Sequence, residues 1–187
     1  MNDMHDIRKI NEEIAEKFIK IETALVFFPD GKELFEKVLI RLEEEFDIPF
    51  VWISIINRPS LSGLIQALAT SRILKDRLNI IDEALFYKLV GNNEKPLLVN
   101  DGIKPFFKLF PKKKKYFIRS LAIAPITLHH EIIGSLNHGD YSRLRYQPDM
   151  ATSLLQKLAS HISARLSDII PCEKTDNIAI NETRKAD

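Results

Sequence analysis

The sequence predicts an α+β fold, an antiparallel sheet with helices segregated to its faces. Three observations carry this. Apolar residues recur at spacings of three and four near both ends of the chain, the mark of amphipathic helices. Between them lie short β-branched and aromatic runs bounded by turn residues. Two of these runs, 117–128 and 131–138, flank a polar "HHE" and read as a β-hairpin.

Each element can be read in order. Ile7, Ile10, Ile14, Phe18, Ile21 and Leu25 form an apolar stripe on a helix over 5–26. "FFPDGKE" (27–33) breaks that helix with Pro29 and Gly31. A second helix spans about 32–47, with Leu34, Phe35, Val38, Leu39, Leu42 and Phe46 apolar. "PFVWISII" (49–56) is a strand buried on both faces, ended by "NRPSLSG". Residues 61–78 fit either a helix or an irregular strand plus turn. "IIDEALFYKLVG" (80–91) is a short helix with Asp82 as N-cap and Gly91 as C-cap. "KPLLVND" (95–101) is a strand, and "KPFFKLFP" (104–111) a helix of one or two turns stopped by Pro111. After the hairpin, Gln147-Pro148-Asp149 opens a last helix to about Ile170, and Pro171 ends it. The chain thus divides into an N-terminal amphipathic helix (1–28), a domain over 29–170 and a polar tail (171–187) expected to be disordered.

The composition narrows the function classes. The 187 residues are 45% hydrophobic and 28% charged, enough to bury a core in one domain. With 27 basic and 26 acidic residues the formal net charge is +1, so no global field attracts nucleic acid or anionic lipid. No run approaches the ~18 apolar residues of a membrane span. One cysteine, Cys172, forms no disulfide within one chain and no multi-cysteine metal site. A cytoplasmic protein, with neither membrane nor nucleic acid as partner, is the expectation.

The hairpin and the segment after it carry a family resemblance. "IRSLAIAPITLHHEIIGSLNHG" resembles the closing hairpin of GAF domains, a small-residue strand ending in proline, a polar turn, then a Gly-x-Leu strand. "RLRYQPDMATSLLQKLASHISARL" is similar to that family's passage into its last helix. Gly134-Ser135-Leu136, Gly139-Asp140 and Arg145-Tyr146-Gln147-Pro148-Asp149-Met150 most resemble a bacterial branch of the superfamily, domain of unknown function 484. Here Asp140 stands where that branch has a second Ser, and Tyr146 where it has Phe. The resemblance implies a profilin-like sheet of about five or six strands. Terminal helices would pack on one face and dimerise. Loops and short helices at 61–115 would cover the other and enclose a small-molecule pocket.

The candidate sites divide into chemistry and binding. His129 and His130 are adjacent on a turn, so their side chains diverge, and no HExxH spacing occurs. His138 and Asp140 would share a face if the strand continued. No GxSxG elbow or Gly-rich phosphate loop is present. No metal ligand set or catalytic residue is assigned. Cys172, past the last helix, weakens any likeness to the methionine-sulfoxide reductase members of the GAF superfamily. The lysine run Lys112–Lys115 reads as a solvated loop rather than an anion-binding patch.

Binding has more to support it. Ser120, Ala122 and Ala124 share one strand face, and their small size leaves space. Ser135 and Asn137 share a face of the partner strand, and Ser54 lies with Trp52 and Ile56 on the first. Tyr87, Phe106, Phe107 and Phe110 come from the covering segments. A pocket of Ser54, Tyr87, Phe106, Phe107, Phe110, Ser120, Ala122, Ser135 and Asn137 would suit an unidentified small molecule. The same aromatics could equally fill the space themselves. The stripe Ile7, Ile10, Ile14, Phe18 and Ile21 either covers its own sheet or pairs with a second subunit, and a homodimer is the expectation. The expected function is a non-catalytic, ligand-sensing domain signalling through its terminal helices to a downstream protein. The alternatives are a small enzyme using the same pocket, or a structural adaptor in which the pocket is filled. The cofactor is left open.

Overall fold

The computed structural model describes residues 3–111 and 117–171, with side chains from Arg8 onward. Helix α1 (Asp3–Ala24) leads through a 3₁₀ turn (Leu25–Phe27) to α2 (Gly31–Phe46) and strand β1 (Phe50–Ile56). A second 3₁₀ turn (Pro59–Leu61) precedes α3 (Ser62–Ala69), β2 (Leu78–Ile81) and α4 (Glu83–Val90). Strand β3 (Leu97–Val99) and a 3₁₀ helix (Lys104–Leu109) come next. The hairpin β4 (Ser120–Leu128) and β5 (Glu131–Asp140) then leads to α5 (Ser153–Ile169).

Local chemistry explains the boundaries. The Asp30 carboxylate accepts from the Glu33 amide at 2.8 Å and starts α2. Asp82 does the same for α4, accepting from the Leu85 amide at 2.9 Å. His129 and His130 both adopt positive φ, 49° and 69°, the geometry of a tight hairpin turn with right-handed strand twist.

The strands form one five-stranded sheet in the order β2-β1-β5-β4-β3. All its pairs are antiparallel except β1–β2, which is parallel, with Ser54 opposite Asn79. The fully antiparallel sheet expected from the sequence is therefore corrected to a mixed one. The 57–77 connection, with α3 inside it, carries the chain back far enough to lie parallel. This also resolves the ambiguous 61–78 stretch into a helix followed by turns. Residues 80 and 81, expected in the α4 helix, belong to β2. Helix α5 starts at Ser153, several residues beyond Pro148, because Gln147–Met150 close a turn first, with the Met150 amide donating to the Gln147 carbonyl at 3.0 Å.

Helices α1, α2 and α5 lie on one side of the sheet, the helix face. Helix α5 crosses β4 above small residues. A register shift between Ile126 and Thr127 frees the Thr127 amide, which donates to Ser163 Oγ of α5 at 2.9 Å. One turn on, Ser167 Oγ accepts from the His129 amide at 2.9 Å. The turn of the hairpin is thus tied to the end of the last helix.

Gly134 of β5 lies opposite Ile55 of β1. A Cβ built there would lie 2.0 Å from the Ser54 carbonyl oxygen, so only glycine fits without moving a strand.

Candidate functional site

Side-chain alternation assigns each strand residue to a face. In register, Trp52 lies opposite Asn137, and Ser54 opposite Ser135. Ile123 lies opposite Asn137 on the other side of β5, and Ala122 opposite His138. Trp52, Ser54, Ser135, Asn137 and Ile123 therefore share the face covered by the 3₁₀ helix Lys104–Leu109, the lid face. Ser120, Ala122, Ala124 and His138 share the helix face.

The lid face holds a closed polar network. The Leu109 carbonyl accepts from Trp52 Nε1 at 2.7 Å and from Ser54 Oγ at 2.9 Å. Asn137 Nδ2 donates to Ser54 Oγ at 3.1 Å, and Ser135 Oγ donates to Asn137 Oδ1 at 2.9 Å. Ser54, Ser135 and Asn137 have no exposed surface. Every hydroxyl is spent on a carbonyl or amide oxygen, so neither serine has a base to activate it. Phe110 stands edge-on to Trp52 with ring centroids 5.0 Å apart, and Phe107 packs on Phe110 at 5.2 Å. The void left beside Trp52 and Phe110 is about 10 Å³, room for a single water at most.

The structure thus brings Ser54, Ser135 and Asn137 together with Phe107 and Phe110, while Phe106 packs half-buried on the core from the same covering segment. It separates the other expected members. Tyr87 packs edge-on to Phe86 and lines a different, open cleft with Arg58 and His130. Ser120 and Ala122 lie on the helix face, correcting the expectation that their small side chains open the pocket. Parity placed them together, but on the opposite side of the sheet from Ser54, Ser135 and Asn137. Ser120 Oγ donates to the Ser142 carbonyl at 2.6 Å.

The histidines divide in the same way. His129 holds the Ile170 carbonyl at 2.8 Å, and His161 faces Glu22 at 3.3 Å. Among the described residues no three His, Cys, Asp or Glu side chains converge as a metal site. Cys172 and Lys112–Lys115 lie outside the described residues.

The helix face contains the group that sequence reasoning only touched. His138 and Asp140 do share this face. The Asp140 carboxylate accepts from the Ser142 amide at 2.7 Å and from Arg145 at 3.2 Å. Arg145 also donates to the Phe46 and Asp47 carbonyls, joining the end of α2 to the segment before α5. His138 is buried, and its pKa falls from the ordinary 6.5 to about 3, first because burial disfavours the cation and then because Arg145 repels it. Burial likewise pushes the Tyr146 phenol up, against an opposing effect of the Arg145 charge, and no hydrogen bond of good geometry satisfies its oxygen. These groups border a cavity of about 240 Å³ between α1, α2, the sheet and the start of α5. Tyr146 is a site residue that sequence reasoning missed. Its signal is an aromatic with a polar tip beside an arginine, just ahead of a helix.

A larger open cleft of about 880 Å³ lies at the far end of the sheet, bordered by Gly31, Arg58, Leu64 and His129. Arg58 there is paired with Glu83 and, at 2.9 Å, with Glu131.

Comparison with known proteins bears on the fold. Comparison with curated proteins finds no match. Among solved structures, the chain is similar to the GAF domain of a phosphoenolpyruvate-protein phosphotransferase from Coxiella burnetii, at TM-score 0.57 and 15% identity over 84% of this chain and 94% of that one. A free methionine-R-sulfoxide reductase from Neisseria meningitidis, solved with its substrate, gives TM-score 0.53 and 14% identity over 83% and 89%. A far-red absorbing dark state with bound biliverdin gives 0.55 and 13% over 82% and 98%. At such identities these show a shared fold alone. The family model of the GAF domain matches residues 30–166, from the start of α2 almost to the end of α5. With that match covering most of its length, the chain belongs to the GAF domain family.

Proposed function

We infer that the chain is a non-catalytic regulatory domain acting in signal transduction as a cytoplasmic homodimer, with its terminal helices as the output to a downstream protein. The observation that carries this reading is the divided state of α1. Ile21 and Leu25 are buried in the domain core, and Phe18 packs on Phe46 at 4.7 Å. Ile10, on the same stripe, is 54% exposed. Glu22 of α1 pairs with Lys157 and His161 of α5, which couples the two terminal helices. A helix anchored at one end and apolar but uncovered at the other is suited to meet a second copy and to carry movement outward.

A small-molecule input is supported by analogy, since two structures of the same fold hold biliverdin and a reductase substrate. The motifs around Gly134 and Arg145 further support membership of the bacterial branch, domain of unknown function 484. A structural adaptor is a second reading, favoured by the filled lid face around Leu109. Sedimentation equilibrium of the full chain tests the dimer directly. The reading expects a mass twice 21.6 kDa, and a monomer at all concentrations would remove its motive.

A further inference from the structure

The cavity on the helix face is lined by His138 and Tyr146, and each carries a buried polar atom without a hydrogen bond. His138 is 4% exposed, and its Nε2 makes no hydrogen bond. The Tyr146 hydroxyl is also buried, with Arg145 beside it but no hydrogen bond of good geometry. Buried polar side chains are nearly always hydrogen-bonded, so two orphans lining one cavity call for an explanation. Their ring centroids are 6.2 Å apart, within reach of one bound molecule.

The remaining walls are apolar. Ile14 and Phe18 of α1, Phe46 of α2, Leu98 of β3 and Leu155 of α5 supply them. Ala122 forms part of the floor, where a larger residue would fill the space. An apolar pocket with a few convergent polar groups is the common form of a small-molecule site. The volume of about 240 Å³ exceeds the ~150 Å³ that accommodates benzene.

Charge sets the ligand class. Arg145 lies at the rim, but its guanidinium is engaged by Asp140 and two carbonyls. His138 is neutral at physiological pH. An anion would have to compete with Asp140 for Arg145, and a cation would meet Arg145 itself. Neutral donor and acceptor groups remain.

We propose that this cavity is a binding site for a small neutral molecule of one or two rings, whose polar group hydrogen-bonds to His138 Nε2 and the Tyr146 hydroxyl as their side chains turn toward it. The site lies on the opposite side of the sheet from Ser54, Ser135 and Asn137. It goes beyond the regulatory reading, because occupancy is measurable whether or not the chain dimerises. Its position between α1 and the start of α5 would place the ligand against both output helices.

The test uses the full chain and three probes of one shape, 2-naphthol, naphthalene and 2-naphthoate, monitored by isothermal titration and amide chemical shifts. Saturable binding of 2-naphthol is expected, about tenfold tighter than naphthalene and tighter still than 2-naphthoate. Shifts should centre on Leu98, Ala122 and Tyr146. His138→Phe should weaken 2-naphthol about tenfold while leaving naphthalene unchanged. Ala151→Trp, a substitution at an exposed position on the rim, should block all three without loss of fold, as read from thermal unfolding. The proposal is overturned by no saturable binding of 2-naphthol, by binding that both variants leave intact, or by shifts confined to the lid face. It is equally overturned by a crystal structure in which a water bridging the two orphans, or a side chain of a second copy, stays in place at saturating 2-naphthol.

Discussion

Asn137 and Ser54 meet across the β1–β5 pair, the Asn137 amide donating to Ser54 Oγ at 3.1 Å with neither residue exposed. The contact ties the two central strands to each other and, through Leu109, to the segment covering them. Ser54→Ala removes the donor to Leu109 and leaves the Asn137 amide short of a partner. A loss of about 1–3 kcal/mol in urea unfolding is expected. Asn137→Ala deletes more of the network and should cost more. Trp52, bonded to the same carbonyl, reports the unfolding by its fluorescence.

Gly134→Ala should be among the most damaging single changes. The added methyl would sit 2.0 Å from the Ser54 carbonyl, against backbone that cannot turn aside. Strand β1 must shift, which disturbs the network above it. A loss of about 3 kcal/mol or more, or failure to recover soluble protein, is expected. Gly63→Ala is the control, since a Cβ there meets nothing within 4 Å.

Much of the fold was legible in the sequence. The periodicity of α1, α2 and α5, the apolar runs of the hairpin and the caps Asp82 and Gly91 each state their element locally. The features that escaped depend on partners distant in sequence. "LNII" is only four residues long and becomes a strand by joining β1 in parallel. Alternation correctly grouped Ser120, Ala122 and Ala124, but parity does not say which face a helix covers. The grouping of Ser54, Ser135 and Asn137 was readable from alternation, but their closure was not. The closing acceptor is a main-chain carbonyl, at Leu109, and no side-chain pattern announces it.

His138 predicts a pH dependence. Its folded pKa lies near 3 against an ordinary 6.5, so the unfolded chain takes up the proton first as pH falls. Its contribution to stability is complete above roughly pH 6.5 and is lost progressively towards pH 3. The slope from this one group is at most about 1.4 kcal/mol per pH unit. Carboxylates titrate in the same range, so the difference between the native chain and His138→Phe is the readout. Urea midpoints of the variant should fall less steeply from pH 6.5 to about 4. Parallel curves would remove His138 as the cause.

Ile10→Glu separates assembly from folding. Ile10 is 54% exposed, so the monomer should change by no more than about 0.5 kcal/mol. A dimer built on this stripe should weaken at least tenfold, about 1.4 kcal/mol. Ile21→Glu buries a charge in the core of its own domain and should unfold it instead. Equal effects of the two changes would mean that α1 has no division of roles.

Hydrogen exchange along α1 tests most directly whether the terminal helices are the output of a ligand site. The full chain is compared with and without 2-naphthol at a concentration that titration shows to be saturating. The account predicts slowed exchange in the amides of residues 10–20 and at the start of α5, with α4 and the Lys104–Leu109 turn unchanged. Protection confined to α4 and Lys104–Leu109, or unaltered exchange throughout α1 at saturation, would contradict it.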